Sequence, residues 1–101
     1  MKILPEPIAF EWDKGNIDKN LIKHNVTNQE AEEVFSNRHL ILNEDNDHSG
    51  QEVRYQALGK TNQNRLLFVS FTIRSQKVRP ISFRDMNIKE RGEYEKVKIN
   101  S

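Results

Sequence analysis

After residue 39 the hydrophobic period of this chain changes from helical to alternating, which fixes the order of its layers before any single residue is interpreted. Upstream, Thr27 and Glu30 form a capping box and Val26 and Ala31 stand at the positions of a hydrophobic staple. Ala31, Val34 and Phe35 make the buried stripe of that helix. A shorter helix is predicted before it, over about residues 14 to 24. Asp13 is placed to cap it, Ile17 and Leu21 share a face, and Asn25 suits the left-handed position that closes it. Phe10 to Asp13 reads as a short strand leading in. Downstream, residues 39–43, 53–58, 65–74 and 77–84 read as four strands with short connections, hence an antiparallel sheet. Leu66 to Phe71 is apolar on both phases except Ser70, which predicts the central strand, covered on one face by helices. Pro80 pushes the last strand toward an edge or a bulge. Asn87 and Glu90 repeat the capping box before a final helix over about 88 to 98, weakened by Gly92. The expected fold class is α+β: two N-terminal helices packed on a four-stranded antiparallel sheet, with a short N-terminal strand and a C-terminal helix.

Length sets the number of domains. At 101 residues and 35% apolar content the chain is read as one domain, 1–101, with its core between about 8 and 97. There is no cysteine, so a disulfide scaffold, a thiolate metal site and a cysteine nucleophile are excluded. No apolar run approaches membrane-spanning length, and the first ten residues carry two prolines and a glutamate, unlike a signal peptide. A cytoplasmic location is expected. Residues 1–7 and 99–101 are expected to fray or extend, since little apolar material holds them.

The total charge of +1 conceals a division between halves: residues 1–53 carry five Lys/Arg against eleven Asp/Glu, and residues 54–101 carry eleven against four. A basic surface of this kind suits a polyanion. The competing reading is that the halves neutralise one another across the fold. Arg79, Ser82 and Arg84 lie on the last strand, Arg65 opens the central one, and Arg91 and Tyr94 are three apart on the final helix. Guanidinium forks bind two phosphate oxygens and stay charged at any working pH. Strand phase sets Arg79 opposite to Ser82 and Arg84 unless a bulge at Pro80 re-aims it. Asp45, Asp47 and His48 offer metal ligands but read better as a turn or interstrand polar network, and Trp12 reads as core or interface.

These residues carry a resemblance. Phe10-Glu11-Trp12-Asp13, Asn20, Lys23-His24, Val26, the Glu32 to Phe35 helix end, Asp45 with Asp47-His48-Ser49, Glu52, Arg54-Tyr55, Gly59, Arg79 to Arg84, Arg91 and Tyr94 resemble the BrnT toxins over about residues 8 to 97. The resemblance implies a RelE/ParE-like fold and the toxin role in a bacterial type II toxin-antitoxin system. It further implies RNA cleavage that inhibits translation and growth, and neutralisation by a ribbon-helix-helix antitoxin of the BrnA kind, with a heterotetramer compatible with it. The chain departs from the family at Asn16, Asn25, Pro80 and Phe83.

For RNA cleavage, the chain has no acidic cluster at two-metal spacing and no glycine-rich phosphate loop. The economical expectation is a metal-independent endoribonuclease that uses the substrate's own 2′-hydroxyl and needs no cofactor. The catalytic candidates are Arg79, Arg84, His24 and Ser82; Arg65, Arg91, Tyr94 and Lys23 are the RNA-binding candidates. His24 is the expected proton-transfer group, with Tyr94 or Lys23 as substitutes, although a histidine at a helix C-terminus also fits a purely structural role. The expected partners are RNA, the antitoxin docked on the last helix and the Arg-rich face, and operator DNA only through the antitoxin complex. The rival readings are an inactive toxin-like module that binds an antitoxin in promoter autorepression, favoured by Asn16 and Pro80, and a standalone nucleic-acid-binding protein.

Overall fold

Thr27 opens the best-defined helix. Its hydroxyl accepts from the Glu30 N–H at 3.1 Å while the Glu30 carboxylate accepts from the Thr27 N–H at 2.9 Å, so two orphan donors are satisfied reciprocally. The computed structural model, which describes residues 3–14 and 18–99, places α1 at Lys19–His24 and this helix, α2, at Asn28–Val34. Asn25 closes α1 in the left-handed region at φ 55° and ψ 39°, as its residue type predicts. The start of α1 differs from expectation. It follows Asp18, with no side-chain cap, and the Asp13 carboxylate accepts from Arg79 at 2.6 Å. Asn16 and Ile17 lie outside the described residues.

The strands are β1 (Ile41–Glu44), β2 (Tyr55–Lys60), β3 (Leu66–Arg74) and β4 (Lys77–Asp85), antiparallel in the order β1-β2-β3-β4, and α3 follows at Ile88–Ile99. The short N-terminal strand reduces to one parallel bridge, Phe10 to Val78, flanked by hydrogen bonds from Glu11 N–H to the Val78 carbonyl and from Val78 N–H to the Ala9 carbonyl. Leu67, Val69, Phe71, Val78, Phe83 and Ala57 point from the sheet toward Val26, Ala31, Val34 and Phe35 and form the main core. Leu66 and Phe68 point the other way, toward Leu58, Met86 and Tyr94 beneath α3. Helices therefore cover both faces, not one, which explains why β3 is apolar on both phases. The N-terminal segment also departs from expectation, because Ile3 and Leu4 pack against the main core.

Two local devices shape β4. The pairing runs Ser70↔Ser82 and then Phe71↔Pro80, so Ile81 is an extra residue and β4 bulges beside Pro80. Buried Asn20 of α1 clamps the bulged segment: its amide oxygen accepts from Phe83 N–H at 3.1 Å and its amide nitrogen donates to the Ile81 carbonyl at 3.4 Å. With Ala9 and Glu11 this covers the outer edge of β4, leaving less of it open to strand addition. The β3–β4 turn has Ser75 at φ 53° and Gln76 at φ 62°, a pair of left-handed residues suited to a tight hairpin. Neither residue prefers that region. Ser75→Asn combined with Gln76→Gly is expected to raise stability by about 1 kcal/mol. A urea midpoint that does not increase would contradict this.

Candidate functional site

The bulge settles the phase of the basic strand. Thr72 pairs with Arg79, Ser70 with Ser82 and Phe68 with Arg84, so Arg79, Ser82 and Arg84 share one face despite their odd spacing. That face is the one α3 occupies at the Phe68 end. Beyond α3 it is open. Asn43, Gln56, Ser70 and Ser82 form a polar row across all four strands, and past it lies a concavity of about 850 Å³. Arg54, Arg74, Arg79, His48, Glu52 and Asp13 line it.

The elements deliver these side chains for different reasons. Arg79 arrives by the bulge and is held by Asp13. Arg74 ends β3 and is gripped by both oxygens of Glu52, at 2.9 and 2.6 Å. Arg54 precedes β2, and its guanidinium has no hydrogen-bond or carboxylate partner among the described residues. The β1–β2 connection, residues 45–54, is longer than expected and is held by its own hydrogen bonds. Ser49 Oγ donates to the Asp45 carbonyl at 2.7 Å and accepts from Arg54 N–H at 2.9 Å, and Asp45 N–H donates to the Arg54 carbonyl at 2.7 Å. Asp45 and His48 thus form the turn and polar network expected of them. Burial opposes the charge on Asp45, but hydrogen bonds from Gln56 and His48 outweigh it and hold the carboxyl below its usual range.

The other candidate residues sit elsewhere or are engaged. Arg84 shares the face of Arg79, but both its outer nitrogens bind Glu90, at 2.8 and 3.0 Å, and its guanidinium lies 4.3 Å over the Phe68 ring. Burial works against the Glu90 charge, yet hydrogen bonds from Arg84 and Asn87 keep its carboxyl below the ordinary value. Arg84 therefore fastens α3 to the sheet. Arg65 binds both oxygens of Asp85 (2.7 and 3.0 Å), Glu30 (3.1 Å) and the Asn25 carbonyl (2.9 Å), joining β3, β4 and the α1–α2 junction. Tyr94 is 1% exposed in the second core, where its ring is shielded from any RNA. His24 and Arg91 both act electrostatically on Asp85, and neither lines the concavity. Lys23 is exposed on α1. Trp12 packs edge-on against Phe83, and its indole N–H donates to Glu32 at 2.7 Å.

Among the described residues, three ion pairs join the halves of the chain: Asp13 to Arg79, Glu30 to Arg65 and Glu52 to Arg74. Neutralisation across the fold is therefore real, and in the concavity it is incomplete, since Arg54 has no such partner among the described residues. Sequence reasoning passed over Arg54, Arg74 and His48 as site residues. The available signal was the run His48, Glu52, Arg54 in one loop, which acquires meaning only once β2 and β3 pair.

A domain of this element order, with an arginine-lined hollow on its open sheet face, belongs to the class of small α+β proteins. Residues 12–90 match the family described as ribonuclease toxin, BrnT, of type II toxin-antitoxin system, and the chain belongs to that family. Among solved structures it is similar to the 1.1 Å crystal structure of the Brucella abortus ribonuclease toxin, BrnT. The TM-score is 0.55 at 20% identity, covering 79% of this chain and 97% of that one, a likeness of fold. Comparison with curated proteins gives no match. No helix among the described residues is long and apolar enough to cross a membrane.

Proposed function

We propose that this toxin-family chain cleaves RNA at the Arg54, Arg74 and Arg79 concavity, and that an antitoxin silences it by covering the same face. The observation that carries the reading is the convergence of three guanidiniums on an open hollow of about 850 Å³, one of them unpaired among the described residues. A phosphodiester supplies two non-bridging oxygens, which match guanidinium forks. In the reaction the 2′-hydroxyl attacks the adjacent phosphorus, and charge on the pentacoordinate phosphate is balanced by Arg79 and Arg54. Ser82, on the same face of β4 as Arg79, would offer its hydroxyl to the flanking backbone. A ribbon-helix-helix antitoxin carrying acidic residues would compete for these groups directly, and operator DNA would be reached through that complex.

Expression of the chain alone in bacteria is expected to arrest growth, with the purified protein cutting RNA but not the matching DNA. Unchanged growth together with intact RNA would instead select the inactive-module reading, which the Asp13 and Glu52 pairs favour because they occupy two of the three arginines. The same pairs give a graded prediction. The Arg74–Glu52 pair is half exposed on both sides, so phosphate displaces it at little cost. Glu52→Gln, which removes that competitor, is expected to tighten binding of a short RNA by roughly 3- to 10-fold at low salt, an advantage that shrinks as salt rises. Fluorescence anisotropy measures it, and an unchanged Kd would place Arg74 outside the binding surface.

A further inference from the structure

Among the residues that line the arginine concavity there is one imidazole, that of His48, and its setting is built. Its Nδ1 lies 2.9 Å from Asp45 Oδ2, and its backbone N–H donates to the other oxygen, Oδ1, at 3.3 Å. Asp45 is only 9% exposed and also accepts from Gln56. The His48 side chain is 67% exposed. A turn by itself needs the backbone contact to Oδ1. It does not need the ring to return to Oδ2 while its far edge stays open beside three guanidiniums. A carboxylate on Nδ1 fixes the tautomer with the proton there, leaving the Nε2 lone pair available, and it stabilises the imidazolium formed when Nε2 takes a proton.

We propose that His48 is the general base of this site and Asp45 its positioning residue, an inference that rests on the concavity being where RNA is cleaved. His48 Nε2 removes the proton from the 2′-hydroxyl and the freed oxygen forms a bond to phosphorus. The bond from phosphorus to the 5′-oxygen breaks, and that oxygen takes a proton from solvent water. The products are a 2′,3′-cyclic phosphate and a 5′-hydroxyl, and the imidazolium returns its proton to the hydroxide left in solvent. The charged groups that touch the ring or line the hollow with it are Asp45, Glu52, Arg54, Arg74, Arg79 and Asp13. None of these is an imidazole, so a fall in rate toward acid that disappears when His48 is replaced identifies the base.

The test uses the purified full chain and a short fluorescent RNA, with kcat, KM and product ends measured from pH 5 to 9. His48→Gln is expected to lower kcat about 100-fold or more with KM changed less than about twofold, and to lose the acid limb. Asp45→Asn is expected to lower kcat less and to shift that limb. At 67% exposure His48 has little packing to lose, and equal thermal midpoints establish that the variant is folded. Wild-type cleavage with an unchanged rate and acid limb in His48→Gln overturns the assignment alone, whichever other group then carries the proton, His24 included. Absence of cleavage by the wild type overturns the nuclease reading and the base together.

Discussion

Replacing Arg79 with alanine is expected to abolish growth arrest and to slow RNA cleavage by roughly 100- to 1,000-fold, about 3–4 kcal/mol of transition-state stabilisation, without unfolding the protein. The size follows from position. Arg79 faces the hollow from the bulge of β4, its side chain is 19% exposed, and its carboxylate partner among the described residues, Asp13, is half exposed. Losing the guanidinium therefore strands no buried charge, and stability should hold. Arg79→Lys separates charge from geometry: an ammonium keeps the attraction but not the two-pronged grip, so an intermediate rate is expected. Cleavage kinetics beside a thermal melt check both points. Full toxicity of a folded Arg79→Ala protein would remove this arginine from the chemistry.

Gly59→Val is expected to cost about 3 kcal/mol or more, a large part of the roughly 5–15 kcal/mol that stabilises a small domain. At Gly59 a Cβ would stand 2.7 Å from Val34 Cγ1 and 3.3 Å from both Leu40 Cδ1 and the Val34 carbonyl. Val34 is itself β-branched and fully buried, so it has no alternative rotamer to retreat into. The helix α2 would have to lift from β2, opening the main core. Gly92 gives the contrast, because nothing lies within 4 Å of a Cβ there, and Gly92→Ala in α3 is expected to stabilise by roughly 0.5–1 kcal/mol. Urea denaturation measures both. Equal midpoints for wild type and Gly59→Val would show that α2 and β2 are less tightly joined than their packing indicates.

Local features were the readable ones. Both capping boxes, the left-handed Asn25 and the alternating strands depend on residues within a few positions of each other, and each is found where its residues place it. Pro80 announced the bulge for a local reason too, and the bulge resolved the conflict of phase between Arg79 and Arg84. Partner identity was not readable. Arg84 to Glu90, Arg65 to Asp85 and Glu30, and Arg79 to Asp13 arise from tertiary register, and nothing in a charge count says which arginine meets which acid. The same holds for the hollow. Arg54 sits at the end of a loop and Arg74 at the end of a strand, and only the antiparallel pairing of β2 with β3 sets them side by side. Tyr94 shows the opposite error, where an amphipathic residue on a weakly apolar helix turned its ring inward and became the centre of a second core.

The acidic half has a second consequence. Asp13 and Glu52 pair with Arg79 and Arg74, so on the proposed reading they hold the places that phosphate oxygens would take. An antitoxin offering carboxylates in the same positions would be imitating contacts the chain already makes with itself.

The most direct measurement is a titration of isotopically labelled protein with a short RNA made uncleavable by a 2′-deoxy substitution, read residue by residue by NMR. Saturable shifts at Arg54, Arg74, Arg79 and His48, with Arg65 and Tyr94 unmoved, are the predicted result. Shifts confined to α1 and the exposed side of α3, with the concavity silent, would contradict it.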